Sequence, residues 1–218
     1  MEPLQRFADG IWIADGPVVH AWGFAFPTRT TVVRLSGGTL WIDSPVVATR
    51  AQADRVAALG RVEYLVSATP MHDWRLKAWA KFFPDAQVWK AESLLENAPA
   101  AWANDLDAVP FRGSIVLTET EFFHKPSRTA ILADFVQNHA PKEGAPLRNA
   151  LLKLGGALGG VPRDIRLSFA GKRRIELARE SLRRILAWDF DKLILAHGDC
   201  VTAGAKAFVE NAFGWLTG

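Results

Sequence analysis

Two β-rich stretches, each followed by helices, limit this chain more than any other feature of its sequence. In the first stretch, Ile11–Ala14 lies between glycines 10 and 16. Thr30–Leu35 is rich in β-branched residues, and Gly37-Gly38 turns the chain into Thr39–Ile42, which predicts a hairpin. Ala48–Leu59 follows at helical spacing and stops at Gly60, then come Val62–Ser67 as a buried strand, a helix over about 75–83, a short strand at Val88-Trp89 and a helix at Ala91–Glu96. The second stretch predicts strands at Ser114–Leu117, Glu121–His124 and Thr129–Ala133. Residues 146–169 read as helical but broken by Gly155-Gly156 and Gly159-Gly160, an irregular flap or hinge. A helix over Ile175–Trp188, a strand over Lys192–Ala196 and a closing helix over Ala203–Leu216 complete the chain. Two sheets packed face to face with helices outside, an α/β (α+β) fold of αββα type in four layers, are expected, and no linker divides residues 1–218, so one domain is expected.

Composition removes several classes of function. The net charge of +3 does not suit a polyanion binder, and the basic run from Lys172 to Arg184 alternates with Ile175, Leu177, Leu182 and Ile185 as a solvated helix face would. No nucleic-acid signature accompanies it, and no nucleic-acid partner is expected. One cysteine excludes an internal disulfide framework. The N-terminus has no signal-peptide core and no apolar run reaches membrane-spanning length, so a cytoplasmic protein with no membrane partner is expected. Nine Trp and thirteen Phe supply core area or the wall of an apolar pocket. The flap with its leucines is compatible with a dimer.

The chemistry is carried by where polar residues fall. Asp43, His72, Asp134 and His197 each stand just past an apolar strand, the position from which rigid scaffolds present ligand residues. His and Asp are ligands for Zn, Fe or Mn. Asp43, before Ser44-Pro45, could equally form an Asx turn or support a ligand from behind. His72 is followed by Asp73, a natural helix N-cap. His124 ends a strand, and Asp134, flanked by Phe135-Val136, is expected to be buried and to need a partner or a metal. His197, with Gly198 allowing close backbone approach, is the strongest single candidate. His20 and His139 look ordinary. No nucleophile elbow, P-loop or dinucleotide fingerprint is present, and Cys200 beside Asp199 is a poor nucleophile.

The order of these pieces resembles the metallo-β-lactamase superfamily. They are Leu40-Trp41-Ile42-Asp43-Ser44-Pro45, the strand and loop from Leu65 to His72, Phe123-His124, Leu132-Ala133-Asp134 and Leu195-Ala196-His197-Gly198. Phe26-Pro27-Thr28-Arg29-Thr30, Trp79 and the run from Phe122 to Thr129 resemble a divergent branch of it. The resemblance implies His72 and His124 in a first metal site, His197 in a second, and Asp134 as the bridging carboxylate. The superfamily's His-x-His-x-Asp-His signature is degenerate here: aligned on Thr69, its first His is Pro70, its second is His72, its Asp is Trp74 and its last His is Arg75. That leaves a set for one divalent metal, zinc before iron or manganese, and a mononuclear hydrolase of a small-molecule substrate, with Asp73 or Asp199 orienting the water. The alternative is a metal-free, non-catalytic relative in which Arg75 pairs with Asp134, and Trp74 and Arg75 give a small acidic or aromatic ligand a wall and a cation.

Overall fold

Short apolar and β-branched runs form the strands, and those at the centre of the two main sheets are buried nearly throughout. The computed structural model describes residues 3–21, 24–46, 49–96 and 100–217, which fall into two compact units, Met1–Asp107 and Ala108–Gly218.

In the first unit, β1 (Gln5–Ala8), β2 (Ile11–Asp15), a small hairpin of β3 (Val19–Ala21) and β4 (Phe24–Phe26), β5 (Arg29–Arg34) and β6 (Leu40–Asp43) precede α1 (Arg50–Ala57). Then come β7 (Val62–Val66), α2 (Leu76–Ala80), β8 (Gln87–Trp89) and α3 (Ala91–Glu96). The sheet order is β1-β2-β5-β6-β7-β8, antiparallel up to β6 and parallel from β6 to β8. β6 and most of β7 are buried, with β8 as the exposed edge, and β6 accordingly reads as an unbroken apolar run ending in Asp43. Thr49 caps α1, and Ala48, where the sequence starts that helix, lies outside the described residues. Val32, Leu40, Ile42, Val56, Leu65 and Trp79 form the core. Trp102 meets Trp41, Tyr64 and Trp89 edge-on at 6.0, 5.0 and 6.0 Å, so much of the aromatic load is core packing.

The second unit is built on a sheet ordered β14-β11-β10-β9. Its elements are β9 (Leu106–Phe111, starting at the unit boundary), β10 (Glu119–His124), β11 (Thr129–Leu132), β12 (Gln137–Asn138), α4 (Pro146–Gly155), β13 (Leu158–Gly160), α5 (Arg163–Leu167), α6 (Lys172–Leu186), β14 (Lys192–Leu195), α7 (Ala205–Ala212) and α8 (Gly214–Thr217). Phe111 packs against Phe135, Phe169 and Phe213 at 5.1, 5.9 and 5.1 Å in a core that also takes Leu182, Ile185, Leu193 and Val209.

Three expectations change. Ser114–Leu117 is a loop: Ile115 and Val116 are exposed, and the Ser114 hydroxyl accepts the N–H groups of Val116 and Leu117, closing a local turn. The strand lies earlier, at Leu106–Phe111, where Pro110 is tolerated because β9 is the sheet's edge. In the flap, Gly155-Gly156 ends α4 with Gly156 left-handed at φ 80°, but residues 158–160 are a strand, β13, paired with β12. Among the described residues no helix is long and apolar enough to cross a membrane.

Candidate metal centre

In the first unit, Asp43 closes β6 beside the end of β7, buried to 5% exposure. One of its carboxylate oxygens accepts the Ala68 N–H at 3.0 Å and the other accepts the Ser44 hydroxyl at 3.0 Å. Ser44 sits in the left-handed region at φ 52°, a conformation that costs a non-glycine residue energy and turns its hydroxyl toward the next loop. That hydroxyl lies 3.0 Å from His72 Nδ1. A hydroxyl has one proton, and here it goes to Asp43, so His72 Nδ1 must carry its own proton and donate to Ser44. Nε2 is then the unprotonated nitrogen of the ring, the form in which a histidine ligates a metal.

The loop that carries His72 is a 3-10 turn, Pro70–Arg75, capped by Thr69 Oγ1, which accepts the Met71 N–H. Asp73 is not the cap the sequence implies; its carboxylate accepts a 2.6 Å bond from Lys90 Nζ. That bond and the charge behind it hold Lys90 above the ordinary lysine range. Trp74 is exposed, and the Arg75 guanidinium stacks on its ring at 4.1 Å. A small pocket of about 20 Å³, space for one water, is lined by Thr28, Arg29, Ser44, Pro45, His72 and Trp74 among others.

In the second unit, β11 and β14 are parallel neighbours, with Leu132 opposite Leu195. Asp134 and His197 each follow two residues later, and they meet: His197 Nε2 lies 2.9 Å from Asp134 Oδ1, both residues buried. Gly198 is bridged to Asn138, at the end of β12, at φ +88°, and a Cβ there would fall 2.1 Å from the Asn138 carbonyl oxygen. Gly198→Ala is therefore expected to destabilise the protein by about 2–3 kcal/mol, seen as a melting temperature lowered by roughly 5–10 °C. The Asn138 amide also binds the Asp199 carbonyl at 2.9 Å, and Asp199 is exposed.

Beneath Asp134 lies a pair of carboxyls that sequence reading passed over. Glu119 and Glu121 are both fully buried on β10. Glu119 accepts the N–H groups of Asp134 and Phe135 at 2.8 and 3.1 Å, and Glu121 accepts that of Ala133 at 3.2 Å. Burial pushes the Glu119 carboxyl well above the usual carboxylate range; the Glu121 charge, a hydrogen bond to Glu121 and the Asp134 charge push the same way. A Glu-x-Glu spacing in a strand puts both side chains on one face, which was the available signal. His139, which looked ordinary, is buried at the margin, with Nε2 3.1 Å from the Gln137 Oε1. Burial and the neighbouring His197 lower its pKa. The side chain of His20 lies outside the described residues.

His124 does not join Asp134 and His197. It pairs with Thr129 at the start of β11, while Asp134 follows the far end of that strand. The tight β10–β11 turn thus puts it at the opposite end of the sheet, more than about 10 Å away along the strand. Its Nδ1 is 2.7 Å from the Ser127 hydroxyl, which itself donates to Thr129 Oγ1. The implied set of three histidines and a carboxylate therefore loses one histidine.

Solved structures share this arrangement of elements. The mono-zinc form of an NDM_FIM-1-like metallo-β-lactamase from Erythrobacter litoralis matches with a TM-score of 0.58 at 13% identity, covering 98% of this chain and 93% of that one. Rubredoxin oxygen:oxidoreductase from Desulfovibrio gigas matches with a TM-score of 0.65 at 13% identity, over 98% of this chain and 61% of its own. The metal-soaked Flv1 flavodiiron core from Synechocystis sp. matches at 0.61 and 10% identity, and this chain, 98% covered, spans only 60% of it. The chain has the metallo-β-lactamase fold. Its class is the expected α/β one, and the likeness is one of fold. The model of the family described as "Domain of unknown function (DUF4336)" matches residues 9–95, less than half of the chain. No curated protein matches in sequence.

Proposed function

We propose that the protein is a cytoplasmic hydrolase of a small-molecule substrate, a single metallo-β-lactamase-like domain whose one divalent metal is held by the Asp134–His197 pair, with His72 as the further ligand that the resemblance implies. The buried Asp134–His197 pair carries this reading: two metal-ligand residue types are placed side by side by neighbouring parallel strands. The proton on His72 Nδ1, fixed through Ser44 and Asp43, supports it by leaving Nε2 as a donor. The residues fit a metal by their chemistry. Two histidines and one carboxylate are the donor types of catalytic zinc sites, which keep a fourth position open. Iron or manganese would accept the same set, since two histidines and one carboxylate also form the facial triad of non-haem iron sites; zinc is favoured for hydrolysis because it acts as a Lewis acid without redox chemistry. A metal bound there would supply a Lewis acid and a water of pKa near 7. Of the two aspartates expected to orient that water, Asp73 is committed to Lys90, so the role falls to Asp199, exposed two residues past His197.

A second reading, a metal-free relative that binds a small acidic or aromatic ligand, is favoured by the exposed Trp74 ring with the Arg75 guanidinium stacked on it. One measurement separates the two. Elemental mass spectrometry of untagged protein is expected to find about one equivalent of zinc, iron or manganese per chain, the capacity of a single three-residue site. No metal, even after incubation with each ion, would overturn the hydrolase and leave the binding protein.

A further inference from the structure

Helix α4 buries none of its residues. Its apolar side chains nonetheless fall in a stripe: Leu147, Leu151 and Leu154 are spaced as neighbours on one helix face, and they are 73%, 54% and 62% exposed. Such a stripe ordinarily faces the core of its own domain. Here it faces outward, with exposed Ala150 beside it. At about 100° per residue, Arg148 borders the stripe on one side and Lys153 on the other, both exposed. A second apolar point lies at the end of α5. Leu167 is 73% exposed, and the Ile115 N–H donates to Ser168, which sets exposed Ile115 and Val116 alongside. From Lys142 to Arg174 the chain carries eight Lys or Arg against two acids, Glu143 and Asp164, an excess larger than the +3 of the whole chain.

We propose that α4, with the end of α5, docks the protein on an anionic lipid surface, the helix lying flat with its leucines inserted. The charge argues for this occupant. An apolar stripe edged on both sides by long cationic side chains is the pattern of interfacial helices, whose Lys and Arg stems lie along the apolar layer while their heads reach the phosphates. A second copy of the chain would bring the same excess of cations across the interface, which repels. A bilayer also takes up separate apolar points, α4 and Leu167, without a matching groove. No run of the sequence reaches spanning length, whereas α4, a helix of 10 residues, would lie in the interface plane.

The test is co-sedimentation of the full chain with phosphatidylcholine vesicles with and without phosphatidylserine. Binding is expected only to the phosphatidylserine vesicles, and it should fall as salt is raised. The double change Leu151→Ser and Leu154→Ser is expected to lower the partition by more than about tenfold, and Arg148→Glu or Lys153→Glu by at least about fivefold each. These positions are exposed, so unchanged circular dichroism and melting should accompany the loss. No binding of the unaltered protein at low salt would overturn the proposal, as would binding indifferent to the leucines. A dimer in solution that dissociates on Leu151→Ser, without vesicle binding, would overturn it in favour of a second copy.

Discussion

Replacing His197 by alanine is expected to reduce metal retention by more than about 100-fold, because removal of a residue that only supports a ligand already costs 10–100-fold. His197 meets the Asp134 carboxylate at 2.9 Å, so its loss takes a donor and also frees the carboxylate to turn. His72→Ala should behave alike. Ser44→Ala should give an intermediate loss, roughly 10–100-fold, since the hydroxyl relays Asp43 to His72 Nδ1 and does not itself need to touch the ion. His124→Ala is the decisive companion. With His124 at the other end of the sheet, that variant should keep its full metal content. Elemental mass spectrometry of the four variants, with circular dichroism to confirm folding, reads all of this at once. A His124→Ala protein that loses its metal would restore the four-ligand set and contradict the strand register. A His197→Ala protein that keeps its metal would remove the site proposed here.

The part of this arrangement that could be read from sequence is the part set by local pattern. Leu132-Ala133-Asp134 and Leu195-Ala196-His197 are apolar strands that run into polar loops, and parallel pairing then brings Asp134 and His197 together. His124 obeys the same local rule, at the end of Glu119–His124, and yet it lies elsewhere. Its strand runs antiparallel to β11, so the end of one is the beginning of the other. Strand direction is a tertiary fact that no single strand encodes. Glu119 and Glu121 were hidden for the opposite reason. A glutamate in a strand ordinarily marks the solvent face, and only the fold supplies the three buried N–H groups that make these two acids tolerable inside. The misplaced strand shows the same limit: Ile115 and Val116 have high β propensity but nothing to pack against, whereas Pro110 is acceptable once β9 is known to be an edge.

Glu119→Ala is expected to cost about 3–5 kcal/mol of stability although Glu119 is no ligand. The estimate follows from what is left behind. The N–H groups of Asp134 and Phe135 lose their acceptor in a buried position, at about 1–3 kcal/mol each, and Glu121 loses the carboxyl with which it hydrogen-bonds. Against the 5–15 kcal/mol that usually holds a domain together, this is a large fraction, visible as a lowered urea midpoint. Glu119→Gln should cost roughly half as much: its amide oxygen can accept one of the two N–H groups and its NH2 can donate to Glu121, but it faces the second N–H with a donor. The two variants also separate support of the fold from support of the site. Glu119 and Glu121 hold the amides of three consecutive residues, Ala133 to Phe135, with Asp134 in the middle. If they set the direction of the Asp134 carboxylate, Glu119→Gln should lose metal affinity by about tenfold while remaining folded at room temperature. An unchanged urea midpoint in Glu119→Ala would mean that water replaces the carboxyl at no cost. A folded Glu119→Gln with unaltered metal affinity would confine the pair to holding the sheet, and the orientation of Asp134 would then rest on its contact with His197.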